Sequence, residues 1–179
     1  MSTLVLNPIL AFTQGGGSPT QATDHPCPIH WDLRKSSVEA RLNGDPNSPL
    51  TFGHLGRPAT DPKLDSLDIT CGMLEKWPIK VRRPEGIDVI DVLENIRKTL
   101  LCRVSRTEFE RFSKGQQEKI TAVFVERCNK AQDPDKAREN GVLRLDCLLQ
   151  HTIFAGLSVS LDKEKTCILT LRRRQQPQN

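Results

Sequence analysis

The sequence is poor in large side chains that could fill a core. It has no tyrosine, two tryptophans and six phenylalanines among its 179 residues. No apolar run approaches the length of a transmembrane helix, which argues against a membrane protein of that kind. The length suits a single domain, and we therefore expect one compact core with long polar loops.

The chain also lacks the short motifs that identify common enzyme classes. It contains no P-loop, dinucleotide fingerprint, HExxH motif or nucleophile elbow. The glycines at 15–17 are not placed between a strand and a helix, so we interpret them as part of a linker. No cofactor is predicted.

Cysteine spacing gives no sign of a disulfide framework or a zinc site. The six cysteines are scattered singly without a CxxC pair, as expected for free thiols in a reducing compartment. The apolar N-terminus superficially resembles a signal peptide, but it lacks a basic region and Asn7-Pro8 interrupts the apolar run. We expect a cytoplasmic protein, with the nucleus as the alternative.

Positive charge is concentrated near the C-terminus. The net charge is +4, and residues 162–179 carry five basic side chains against two acidic ones. Arg172, Arg173 and Arg174 could therefore bind phosphate, and weak nucleic-acid binding through this tail is one functional hypothesis. Three arginines without a longer basic run form an incomplete signal for it.

The organisation of the chain predicts one folded unit with two flanking segments. Residues 1–28 are interpreted as an N-terminal segment with a flexible Gly/Pro linker, 29–172 as a single α+β domain, and 173–179 as a disordered basic and polar tail. Alternating or apolar runs predict strands at 29–34, 67–71, 78–83, 142–148, 152–161 and 167–171.

Helical signals occupy the middle of the chain. Asp88 is a predicted N-cap, and the apolar residues from Val89 to Leu100 fall on one face. Ser105 to Glu108 forms a capping box for a second, short helix. A third helix is expected at about 116–129, followed by a charged loop at 129–140. The order of elements predicts an α+β fold, with a mainly antiparallel sheet and about three helices packed on one face; the first strand should join the C-terminal hairpin.

The stretch from Gly141 to Leu157 is the most apolar part of the chain, yet it contains the polar residues Asp146 and His151. Asp146, Cys147 and His151 resemble parts of a nucleophilic site. On the predicted strand Asp146 and Cys147 would point to opposite faces, and burial would keep the thiol inert. His151 and Asp146 remain as candidate catalytic residues, with a structural role as the alternative.

Two further groups are candidate binding sites. Trp31, Asp32 and Arg34, together with Trp77, could form an aromatic recognition surface, although packing in the core is the favoured interpretation. His25, Cys27 and His30 could ligate zinc, but a fourth ligand is missing and prolines separate them, so no metal is predicted.

Several motifs together resemble a known domain type. In order they are Leu6–Leu10, His30–Arg34, Pro58–Pro62, Trp77–Val81, Asp91–Leu93, Val104–Phe109, Arg144–Asp146 and His151–Leu157. This pattern, from about residue 6 to residue 171, resembles an uncharacterised domain family abundant in mushroom-forming (basidiomycete) fungi. The resemblance implies no activity and no catalytic residues.

The leading functional hypothesis is a non-enzymatic intracellular binding or scaffold domain with a protein partner. It rests on balanced charge, long loops and the absence of a catalytic motif. A small enzyme with a site near Asp146 and His151 is the first alternative, and nucleic-acid binding through the tail is the second.

Overall fold

The computed structural model describes residues 4–13, 27–43, 45 and 47–174. Within these ranges there are eight strands: β1 Val5–Leu6, β2 Ile29–His30, β3 Arg41–Leu42, β4 Thr60–Asp61, β5 Ser66–Thr70, β6 Ile79–Arg82, β7 Ile153–Val159 and β8 Thr166–Arg172. The α-helices are α1 Phe52–Leu55, α2 Val89–Leu100, α3 Arg106–Phe109, α4 Lys114–Asn129 and α5 Pro134–Glu139. Three 3₁₀ helices lie at Ser37–Glu39, Gly72–Leu74 and Arg144–Leu148. The α+β class is confirmed.

The main sheet has four strands in the order β6-β5-β8-β7. β5 pairs antiparallel with β6 and β7 antiparallel with β8, whereas β5 and β8 are parallel. The sheet is therefore mainly antiparallel, as predicted, and the predicted hairpin is β7–β8. Along β6, Ile79 and Val81 are buried while Lys80 and Arg82 are exposed, which matches the predicted alternation.

The longest predicted apolar helix face is present in α2. The Asp88 N–H donates to the carboxylate of Asp91 at 2.8 Å, so the first turn is closed by its own side chains. The helix buries Val89, Val92, Leu93, Ile96 and Leu100. This local sequence signal therefore also sets the packing of the helix on the domain.

Two predicted elements are wrong. Residues 142–148 were expected to form a strand, but Arg144–Leu148 is a 3₁₀ helix, because the Asp146 carboxylate accepts the Leu143 N–H at 2.8 Å and turns the chain. Residues 129–140 were expected to form a loop, but they contain α5. Asp133 caps that helix by accepting the Lys136 N–H at 3.0 Å.

The predicted strand at 29–34 is present in a shorter form. β2 pairs with β3, and the chain then runs beside β7, where the Leu33 N–H donates to Thr152 O at 2.8 Å and the Phe154 N–H donates to Trp31 O at 2.9 Å. The first strand region therefore does meet the hairpin, through the residues that follow β2.

Part of the predicted N-terminal segment, residues 4–13, packs against the domain whose start was predicted at residue 29. Leu6 and Leu10 are buried in the core, and the Phe12 N–H donates to Leu157 O at 2.8 Å. This approach needs a glycine at 156, whose φ is +114° and whose added Cβ would lie 2.7 Å from the Phe12 nitrogen. The linker residues 14–26 and the tail residues 175–179 lie outside the described ranges.

No disulfide joins any of the six cysteines, as expected, and Cys102 is the exposed member of the group. Among the helices of the described residues, none has the length and apolarity to cross a membrane.

Candidate functional site

The Asp146 carboxylate is buried and fully engaged by the protein. Arg127 on α4 donates to it through Nε, 2.8 Å from Oδ1, and through Nη2, 2.9 Å from Oδ2. The Leu143 N–H provides a third hydrogen bond. Burial works against the charge on Arg127, but the hydrogen bonds and charge of Asp146 outweigh it and raise the pKa of the guanidinium. The pair joins α4 to the Arg144–Leu148 helix.

The candidate catalytic residues do not form an acid–base pair. No hydrogen bond joins His151 to Asp146 in the described structure, and the half-buried His151 ring has no hydrogen-bond partner there for Nδ1. Cys147 is buried, and burial, reinforced by the charges of Asp146 and Glu108, raises the pKa of its thiol to about 12. The thiol is therefore protonated at neutral pH, so the apparent nucleophilic group lacks an ionised nucleophile.

Trp31 packs in the core. It is 2% exposed, its ring centroid lies 6.1 Å from that of Phe154, and its indole N–H donates to Lys35 O at 3.2 Å. Beside it, Arg34 holds the Asp32 carboxylate through Nε, 2.9 Å from Oδ1. Burial alone would raise the pKa of Asp32, but the hydrogen bonds and charge of Arg34 outweigh this and lower it.

Trp77 packs in a second cluster. It is 6% exposed, its indole N–H donates to Glu108 Oε1 at 2.6 Å, and the Arg144 guanidinium lies 5.1 Å from the centre of its ring. The structure thus places both tryptophans in packed clusters, which is the interpretation favoured from the sequence over a recognition surface. Both rings are used for packing, because so few aromatic side chains are available to fill the core.

The three C-terminal arginines have different environments. Arg172 is part of β8 and lies opposite Ile153, whereas Arg173 is exposed. Arg174 is attached to Gln150 twice, through its backbone N–H at 2.8 Å from the carbonyl and through Nη2 at 3.2 Å from Oε1. Arg174, in the described part of the expected tail, is thus held at the 149–152 segment.

A cavity of about 320 Å³ lies where α4, the Arg144–Leu148 helix and the 149–152 segment meet. Its walls include Arg34, Asp146 and Arg174, which the sequence analysis had assigned to three separate hypotheses. The remaining lining residues are Val123, Glu126, Arg127, Lys130, Ala131, Leu145, Leu149, Gln150 and Thr152. His151, which lies between Gln150 and Thr152 in the chain, does not line the cavity.

The lining of the cavity is mostly apolar, and cationic side chains contribute to the same wall. Four cationic and two acidic side chains line it, and each acid already has a cation: Asp146 has Arg127, and Glu126 accepts from Lys130 at 2.6 Å. A mostly apolar lining with a few polar groups is usual in binding pockets, and it suits a ligand with an apolar body.

Two features of the wall depart from a relaxed structure. Leu149 has φ +54°, a region that bulky residues avoid and that is common at functional sites. Thr152 is 3% exposed, and its hydroxyl has no hydrogen bond of normal geometry within the described residues, although it lies near enough to Asp32 to help to lower the pKa of that carboxyl.

Sequence reasoning missed Arg127 and Lys130 as members of a site. A signal was present for Arg127, which falls among the apolar positions of α4 instead of on its solvent side. A cation at such a position indicates a buried acidic partner.

No group of three metal-ligating side chains is found among the described residues. Of the predicted metal candidates, His25 lies outside the described residues. Cys27 is buried, and burial raises the pKa of its thiol to about 11. The thiol of Cys27 is therefore protonated at neutral pH.

Comparisons with curated proteins and with solved structures gave no match. One family model matches residues 29–166, which is most of the chain and includes nearly all the cavity-lining residues. This protein therefore belongs to DUF6699, a family of unknown function.

Proposed function

We propose that this domain is a non-enzymatic binding module and that a protein partner inserts a side chain into the cavity beside α4. The observation that carries the proposal is the cavity itself, with its apolar interior and with both lining acids neutralised by arginine or lysine. A site of this kind offers apolar contact and positive charge but no free base or nucleophile.

The exposed side of α4 supports a partner on this face. The helix has 16 residues and buries two of them, Ile120 and Cys128. The rest of the helix is therefore at least partly accessible to a partner beside the cavity.

The proposed setting is the cytoplasm of a basidiomycete fungus, with the nucleus as the alternative. Six free thiols suit a reducing compartment, and the order of the sequence motifs supports the fungal source. Localisation of a fluorescent fusion tests the compartment, and an extracellular or vesicular signal contradicts it.

Selection of displayed random-sequence peptides on the immobilised domain tests the function, with the recovered peptides measured by calorimetry. We expect Val123→Phe, which fills the cavity, to weaken binding about tenfold or more. Val125→Phe is the matched control, since it makes the same change on the same helix outside the cavity, and it should bind like the wild type.

Three outcomes contradict the proposal. These are the absence of any enriched peptide, an equal effect of the two phenylalanine variants, and turnover of a metabolite by the purified protein in an unbiased substrate screen. The nucleic-acid alternative has less support, because Arg174 is held at Gln150 and faces the cavity.

A further inference from the structure

Among the described residues, not every charge in the cavity wall has a partner of opposite charge. Arg34 is paired with Asp32, Arg127 with Asp146, and Lys130 with Glu126. Arg174 differs from them, because its guanidinium donates to the neutral amide oxygen of Gln150. No acidic side chain of the described residues forms an ion pair with it.

The apolar part of the cavity lies in the same space. Val123 on α4, Leu145 on the Arg144–Leu148 helix and Leu149 directly after that helix line the cavity together with Ala131. The space between them is large enough for a side chain of the size of leucine or phenylalanine. A ligand that fills this interior therefore has a cation within the same cavity.

From this juxtaposition we propose that the partner segment carries an apolar residue beside an aspartate or glutamate. The apolar side chain occupies the interior between Val123, Leu145 and Leu149, and the neighbouring carboxylate pairs with the Arg174 guanidinium. This inference rests on the proposed function, since it names the chemistry of the partner at the same site.

The chemistry favours a carboxylate over a phosphate. An arginine recognises a carboxylate with two parallel hydrogen bonds and needs no further cation to do so. Phosphate groups on proteins or nucleic acids are held by several cations or by backbone N–H groups. Here the other three lining cations already form ion pairs with acidic side chains. Each of them would have to break its ion pair in order to bind a phosphate.

The sequences of the peptides selected from the displayed library test this inference. We expect the enriched peptides to share an apolar residue next to Asp or Glu. Replacing that acid with its amide should weaken binding to the wild type about tenfold. Enriched peptides without an acid overturn the inference, yet they leave the proposed function intact if Val123→Phe still blocks them.

A double-mutant cycle tests the assignment of the carboxylate to Arg174. With Arg174→Gln, the acidic peptide and its amide form should bind equally, because the charge pair is already lost. Arg173→Glu changes the exposed neighbouring arginine and should preserve the preference for the acid, whereas Arg174→Glu should reverse it. An equal loss from Arg173→Glu and Arg174→Glu contradicts the assignment.

A free carboxylic acid is the competing occupant with the same chemistry. We therefore include 3-phenylpropionate as a probe and expect it to bind far more weakly than the peptide, since it lacks the surrounding chain. Binding of 3-phenylpropionate as tight as that of the peptide overturns the peptide assignment and gives the cavity to a small acid.

Discussion

Arg127 and Asp146 form a two-point ion pair that joins α4 to the Arg144–Leu148 helix, with N–O distances of 2.8 and 2.9 Å. The Asp146 side chain is 1% exposed, so its charge depends on the protein for solvation. Asp146, one of the two candidate catalytic residues in the sequence, thus anchors one wall of the cavity.

Removing Arg127 should therefore destabilise the fold strongly. Arg127→Met leaves a buried carboxylate without its cation, and we expect it to lower the free energy of unfolding by about 3–5 kcal/mol. Arg106→Met is the control, because Arg106 pairs with Glu110 on the surface of α3, where such pairs contribute about 0.5 kcal/mol. Urea denaturation measures both, and similar losses in the two variants contradict this role for the buried pair.

Stability should depend on the ionisation of Glu108. The Ser105 hydroxyl, the Trp77 indole and the Ser105 backbone N–H donate to its carboxylate and hold its pKa at about 2, against an ordinary 4.5. Because the pKa is lower in the folded state, ionised Glu108 stabilises the fold above about pH 4.5, and this contribution is lost as the pH falls towards 2.

The variant Glu108→Gln tests this dependence in denaturation curves recorded across the acidic range. Its deficit relative to the wild type should shrink as the pH falls through that window. Trp77→Phe removes one of the donors and should move the loss to higher pH. Parallel pH profiles for the wild type and Glu108→Gln would falsify the role of the carboxylate.

Thiol labelling should distinguish Cys147 from Cys102. In the native protein at about pH 8, iodoacetamide should modify the exposed Cys102 and spare Cys147, whose pKa is about 12 because it is buried. Mass spectrometry of peptides identifies the modified residue, and unfolding in urea should remove the protection. Rapid native labelling of Cys147 would revive the nucleophilic interpretation.

The close approach of the N-terminal segment to β7 should make Gly156 intolerant of substitution. In Gly156→Ala the new Cβ meets the Phe12 backbone, with a 2.7 Å contact to its nitrogen, at a φ of +114°. We expect a loss of about 1–3 kcal/mol or more from backbone strain and displacement of the segment. Gly115→Ala is the control, since no atom lies within 4 Å of its added Cβ. Equal stability of the two variants contradicts the contact.

The sequence was most informative where structure depends on near neighbours. The Asp88 cap and the apolar face of α2, the Ser105 capping box and the β7–β8 hairpin were all recognisable because each signal lies within a few residues. The class of fold followed from the order of these elements.

Sequence reasoning failed where distant residues decide the structure. The Arg144–Leu148 segment resembles a strand by composition, but its polar partner Arg127 lies 19 residues from Asp146, on another helix. The cavity could not be predicted either, because its lining residues are far apart in the sequence. Arg34 lies near the start of the domain and Arg174 near its end.

The most direct test of the binding site is an NMR titration of the isotopically labelled domain with the tightest peptide recovered from the displayed library. We expect the amide signals of Ala131, Leu149 and Gln150 to shift in proportion to occupancy, and those of β5 and β6 to stay in place. Shifts confined to surfaces away from α4 and the 149–152 segment, or no shifts at saturating peptide, would contradict the assignment of the cavity as the binding site.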